Sequence, residues 1–203
     1  MHKEILSDEQ LELLPLVKLF NGDFGLVGGT AVALHLGHRR SIDFDLFSSQ
    51  EFDTLKIRKK ILKFNKIDQI IHDEAGQFSP QIKGVRFTFL FFPYPVNFSE
   101  DFESIIKLPD LLVLAAMKAF ALGRRAKWKD YIDICFIARK YGGIKEICAK
   151  ARDIFGNEFN EKLFRAQLAY FADINYSEEI IFMPGFEASD EKIKQELTEF
   201  SLA

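Results

Sequence analysis

A chain of 203 residues, 48% hydrophobic and 28% charged, can bury a sizeable core as one compact domain or two small ones sharing an interface, and its 22 phenylalanines make that core ring-rich. A net charge of -3 excludes a general nucleic-acid sponge, so any contact with nucleic acid must come from a local patch. Cys135 and Cys148 have neither metal-ligand spacing nor a disulfide framework and suit reduced thiols in a cytoplasmic protein; Met1-His2-Lys3-Glu4 lacks a signal peptide's apolar core, and no apolar run approaches membrane-spanning length.

Ser7-Asp8-Glu9-Gln10 is a capping-box pattern ahead of Leu11, Leu14, Val17 and Phe20. It predicts a helix to about Phe20, stopped by Asn21-Gly22, with Pro15 marking a kink or a later start. Phe24–Val27 is a strand, and Gly28-Gly29 then open a helix that starts near Thr30 and runs to about Leu36. Such a turn points backbone N–H groups, and the helix dipole with them, at an anion, so a phosphate is the natural guest. Ser41–Phe47 is the second strand. Alternate side chains share a face, so Asp43 and Asp45 point one way, with Ile42, Phe44 and Leu46 behind them. Two carboxylates about 7 Å apart along a strand can grip a hard divalent cation. Gly-Gly alone is common turn punctuation, and Asp-x-Asp alone is often a solvated strand face. Their order here, with Gly37-His38-Arg39-Arg40-Ser41 between them, points to chemistry on a nucleoside triphosphate.

Asp53–Phe64 is an amphipathic helix, with Leu55, Ile57, Ile61, Leu62 and Phe64 on its apolar face and Lys56, Arg58, Lys59, Lys60 and Lys63 outside. That basic cluster suits an RNA-facing patch or an ordinary solvated face. Ile67–His72 is a further strand, and Gln77–Lys83 with Val85–Phe92 a hairpin turning near Lys83-Gly84. Arg86, Thr88 and Leu90 share one face of the last strand, and Pro93-Tyr94-Pro95 ends the sheet. Helices follow over Asp110–Leu122, Lys127–Tyr141, Ile144–Phe155 and Glu158–Ala172, with Ser189 capping a last one to about Phe200. The fold class is therefore α+β, a small mixed sheet with flanking helices over residues 1–104 and a helical region over 105–203.

Lys118 is the only charge between Asp110 and Arg124. A lone lysine in so apolar a helix either snorkels or has an anionic partner. Asp133 is likewise isolated among apolar neighbours and needs a partner, for which Arg124 or Arg125 could serve. Arg124, Arg125, Lys127 and Lys129 surround Trp128, a stretch that suits RNA phosphate and a stacked base, or plain solvation.

Gly28-Gly29-Thr30, Gly37-His38-Arg39-Arg40-Ser41 and Asp43-Phe44-Asp45-Leu46-Phe47, followed by the Lys118 to Ile134 block with its Lys129-Asp130-x-x-Asp133 ending, resemble the AbiEii/AbiGii toxin group of nucleotidyltransferases, within the DNA polymerase beta-like superfamily. The two blocks cover under half the chain. The resemblance implies a nucleotidyltransferase-like fold and transfer of a nucleoside monophosphate from a triphosphate to an RNA acceptor such as tRNA, alongside a neighbouring antitoxin in phage defence. Asp43 and Asp45 would hold Mg2+ or Mn2+. Gly28, Gly29 and Thr30 would cradle the phosphates, with His38, Arg39 and Ser41 near phosphate or acceptor. Lys118 would neutralise the triphosphate, and Asp130, supported by Asp133 and Arg124, would help assemble the site. Two metals about 4 Å apart would serve the attacking and leaving oxygens. Many relatives carry a third carboxylate where Thr88 stands here, and a hydroxyl cannot replace it as base or strong metal ligand. Two alternatives follow: nucleotidyl transfer to a small molecule, or a nucleotide- or RNA-binding module without catalysis.

Overall fold

Ser7 caps the first helix as expected. Its hydroxyl accepts from the Gln10 N–H at 3.3 Å, and the Gln10 side chain accepts from the Ser7 N–H at 3.1 Å. Two amides orphaned at the helix start are thereby satisfied. The helix, α1 (Asp8–Lys18), continues through Pro15 rather than starting after it. The computed structural model describes residues 1–203 and divides them into two compact units. One is Met1–His35 with Arg40–Asp110; the other is Leu36–Arg39 with Leu111–Ala203.

The first unit is built on a five-stranded mixed sheet. Its strands are β1 (Gly25–Val27), β2 (Phe44–Ser48), β3 (Gln69–Glu74), β4 (Gln77–Ile82) and β5 (Val85–Phe91), in spatial order β1-β2-β5-β4-β3. The β2–β5 pair is parallel and the others are antiparallel. α2 (Gly28–Leu36) follows β1 directly, and α3 (Thr54–Leu62) follows β2, its first turn capped by the Asp53 carboxylate accepting from Leu55 N–H at 2.9 Å. Phe44, Leu46, Phe87 and Phe89 alternate onto the buried side of the central pair. Phe20, just past α1, sets its ring edge-on to Phe89 with centroids 4.7 Å apart. Each such ring removed from water is worth about 1.5–3 kcal/mol. The β4–β5 hairpin turns on Lys83 (φ 49°) and Gly84 (φ 76°), two successive left-handed residues as a two-residue hairpin with matching twist requires.

Two expectations are corrected here. Ile42 does not lie behind the acid pair: it precedes β2, and 64% of it is exposed. Of the apolar face expected for α3, only Ile57 and Ile61 are buried, while Leu55, Leu62 and Phe64 face solvent. The sheet does end ahead of Pro93-Tyr94-Pro95, as expected, and beyond it β6 (Glu100–Phe102) and β7 (Ile106–Leu108) form a separate hairpin.

The second unit is helical, with α4 (Leu111–Leu122), α5 (Trp128–Tyr141), α6 (Lys145–Phe155), α7 (Glu161–Leu168) and α8 (Asp190–Leu202). α5 stops at Gly142, whose φ of 70° is the left-handed cap that glycine adopts without penalty. α7 is shorter than expected because Asn160 caps a fresh start, its side chain accepting from Leu163 N–H. No helix is long and apolar enough to cross a membrane. Both cysteines are free and buried, and burial pushes their thiols up to about 12 for Cys135 and about 11 for Cys148.

Candidate functional site

The acid pair and the glycine turn meet in the first unit. β1 and β2 pair with Val27 opposite Asp45, which brings the end of β1, where the chain turns into α2, level with that acid. Gly28 has a φ of 73°, and a Cβ built on it would lie 2.1 Å from the Asp45 Oδ2. The Asp45 carboxylate therefore packs on bare backbone at the first turn of α2, which carries no acidic side chain of its own. Thr30, buried in that turn, donates from its hydroxyl to the Asp43 carbonyl and lies 3.0 Å from the Ser41 hydroxyl. One threonine thus fixes the loop that carries Asp43 against the helix that follows the glycines.

Asp45 and Phe47 occupy the half-buried side of β2, opposite to Phe44 and Leu46. In the parallel register Asp45 pairs with Thr88, and Phe44 with Phe87. Arg86, two residues before Thr88 on the same face, places its guanidinium against the Asp43 Oδ2 as an ion pair. Its Nε is buried without a hydrogen-bond partner. The donor chemistry fits a hard divalent cation. Two carboxylates are present, no third acid, histidine or cysteine joins them as a metal-binding group, and magnesium is commonly held by one or two carboxylates with phosphate and water completing its shell. Arg86 is the neighbour of the acid pair that motif reading missed, although its place on the Thr88 face was legible.

His38, Arg39, Lys118, Asp130 and Asp133 gather in the second unit as one buried charge network. Lys118 Nζ lies 2.5 Å from Asp130 Oδ1 and 2.8 Å from Asp133 Oδ2. Arg39 donates from Nε to Asp133 Oδ1 at 2.7 Å and from Nη2 to Oδ2 at 2.8 Å. His38 Nε2 lies 2.9 Å from Asp133 Oδ1, and Arg125 reaches Asp130 Oδ2 at 3.0 Å. His38, Arg39, Lys118, Asp130 and Asp133 are all buried. Burial alone would raise the Asp133 carboxyl, but Arg39, Lys118 and His38 outweigh it and hold the group well below its ordinary value. Burial likewise opposes the charge on Lys118, yet Asp130 and Asp133 raise its pKa. For His38 burial wins and the pKa is lowered, so the ring is neutral near pH 7 and donates from Nε2 to Asp133, leaving Nδ1 buried without a partner.

Two partner expectations change in consequence. Asp133 is held by Arg39, Lys118 and His38, not by Arg124 or Arg125, because side chains from Leu36–Arg39 reach it first. Arg124 instead lies over the Phe120 ring and donates to the Phe120 carbonyl at 3.2 Å. Trp128 is no stacking platform: it is 4% exposed and its Nε1 donates to Asp190. Lys127 and Lys129 both pair with Glu178, whose pKa falls to about 2 under their charge despite partial burial.

The whole chain can be set beside known proteins. No family model matches it. A protein of Aquifex aeolicus, the uncharacterised aq_aa25, is 29% identical over 202 residues, covering 96% of this chain and 97% of that one. Three solved structures share the architecture. A candidate nucleotidyltransferase from H. pylori superposes with a TM-score of 0.58 at 16% identity, over 97% of this chain and 94% of its own. JHP933 from Helicobacter pylori gives 0.53 at 18% identity, over 97% and 92%. The nucleotidyltransferase toxin MenT4 from Mycobacterium tuberculosis gives 0.59 at 11% identity, over 94% and 80%. The chain therefore has the fold of these proteins.

Proposed function

We propose that this chain is a metal-dependent nucleotidyltransferase of the AbiEii/AbiGii toxin type, moving a nucleoside monophosphate from a nucleoside triphosphate to an RNA acceptor such as tRNA. The observation that carries the reading is the Asp45 carboxylate seated on the bare backbone of Gly28 at the head of α2, with Asp43 held beside the same turn by Thr30. The shared fold with nucleotidyltransferases, one of them a toxin, supports it.

Asp43 and Asp45 would hold magnesium or manganese. A divalent cation there supplies charge stabilisation at phosphoryl oxygens and at the departing pyrophosphate. Gly28, Gly29 and the first turn of α2 offer backbone N–H groups to the phosphates. Thr30 and Ser41 keep the Asp43 loop from drifting. The acceptor hydroxyl would attack the α-phosphorus and lose its proton to solvent as the new P–O bond forms and the bond to pyrophosphate breaks. The ion pairs that saturate Lys118 favour a scaffolding role for Lys118, Asp130, Asp133, His38 and Arg39 over direct contact with the triphosphate. A cytoplasmic toxin of this kind would be held in check by a cognate antitoxin.

Purified protein incubated with magnesium, each α-labelled triphosphate in turn and total tRNA tests the reading. Label is expected on RNA with the native acids and absent in the Asp43→Asn, Asp45→Asn protein, which should also lose growth inhibition. Growth inhibition that survives both substitutions would reject it. Label moving to a small-molecule acceptor with no need of RNA would keep the chemistry and replace the acceptor. The Arg86–Asp43 ion pair, with Thr88 in place of a third acid, favours a second reading, a module that binds nucleotide without transfer. Magnesium-dependent pyrophosphate release rules that out.

A further inference from the structure

Arg86 stands where the sheet register puts it next to Asp43, one face-sharing position before the Thr88–Asp45 pair. Its guanidinium neutralises Asp43 directly, with side-chain exposures of 39% for the arginine and 17% for the aspartate. Its Nε is buried and has no hydrogen-bond partner. A guanidinium is a planar fork of five donors that matches phosphate oxygens as readily as a carboxylate, and it cannot be switched off by deprotonation. A cation arriving at Asp43 competes with it for the carboxylate, and an arginine so released carries unmet donors beside the loop that Thr30 ties to the first turn of α2.

We propose that Arg86 is a two-position residue of this site: it is the counter-ion of Asp43 when no metal is bound, and a phosphate-binding side chain once metal and triphosphate are in place. The inference rests on the metal and nucleotide reading of Asp43 and Asp45. It gives the strand position before Thr88 a task that a third carboxylate cannot perform. A site with two acids and one mobile guanidinium keeps a positive charge near the triphosphate where a three-acid site would recruit another metal ion.

Calorimetry with manganese alone, and then with manganese and a non-hydrolysable triphosphate analogue, separates the two positions without measuring turnover. Arg86→Ala removes the competitor, so manganese without nucleotide should bind about tenfold tighter, whereas the analogue should bind about tenfold weaker for want of a charged donor. Arg86→Lys keeps the charge without the fork and should fall between native and alanine for the analogue. If Arg86→Ala does not fold, as judged by circular dichroism, Arg86→Gln carries the same two expectations. Unchanged affinity for either manganese or the analogue in a folded variant overturns the inference while leaving the site reading intact. A native protein that takes up no manganese, and matches Asp43→Asn, Asp45→Asn in this, overturns the site reading and the inference together.

Discussion

Asp133 is the residue on which most of the buried charge converges. It receives Arg39 through two hydrogen bonds, Lys118 and His38, all out of water. Removing one partner of such a network leaves its cations uncompensated, so Asp133→Ala should cost about 3–5 kcal/mol in urea denaturation. The network also sets the pH response. Asp130 and Asp133 have folded pKa values below the ordinary 3.8, so their contribution is present above that value and is lost as pH falls through the lower folded ones. Lys118 has a folded pKa above 10.5, so its contribution is complete below 10.5 and is lost as pH rises through the folded value. His38 is lowered from 6.5, so the unfolded chain takes up its proton first and stability drops as pH falls below 6.5. Melting temperature should therefore be greatest between about 6.5 and 10.5 as far as these groups decide it. His38→Gln should remove the part of the acid-side loss that begins near 6.5.

At the scale of single elements, the turn into α2 and the β4–β5 turn offer a matched pair of glycines. Gly28 and Gly84 have φ of 73° and 76°, but a Cβ at Gly28 collides with the Asp45 carboxylate whereas one at Gly84 meets nothing within 4 Å. Alanine at either position pays the left-handed backbone cost of about 1–2 kcal/mol. Only Gly28→Ala should in addition weaken manganese binding in a titration, because it moves an acid as well as a backbone. Elements announced by local chemistry were legible in the sequence: the Ser7 capping box, the Lys83-Gly84 turn, the helix stop at Gly142. The β6–β7 hairpin was not, because its strands are three residues long and its left-handed turn residues are Glu103 and Ser104 rather than glycine. The acid pair could be read from its spacing. The Arg86 contact could not, since it depends on which strand lies beside β2 and in what register. His38 and Arg39 escaped as partners of Asp133 for the same reason, lying more than ninety positions from it.

For the whole molecule, the net charge of -3 conceals an uneven surface. Along α3, Arg58 and Lys60 are engaged by Asp73 and Asp23, while Lys56, Lys59 and Lys63 are exposed. An RNA acceptor that uses this face would make Lys56→Ala, Lys59→Ala, Lys63→Ala lower the salt slope of RNA binding by about 2, at roughly 0.7 per lost phosphate contact on a single strand. Manganese and triphosphate affinities should stay as they are. An unchanged salt slope in filter binding would place the acceptor elsewhere.

The one tryptophan of the chain has a use of its own. Trp128 is buried at the start of α5, its indole N–H tied to Asp190 and its ring flanked by Tyr131 and Tyr176. Excited at the red edge of its absorption, where tyrosine is dark, the protein emits from the helical unit alone. The sheet unit, with the acid pair and Arg86, is silent in that light. Emission recorded while metal or nucleotide is added is thus a one-channel instrument: it reads the surroundings of Trp128 and nothing of the sheet.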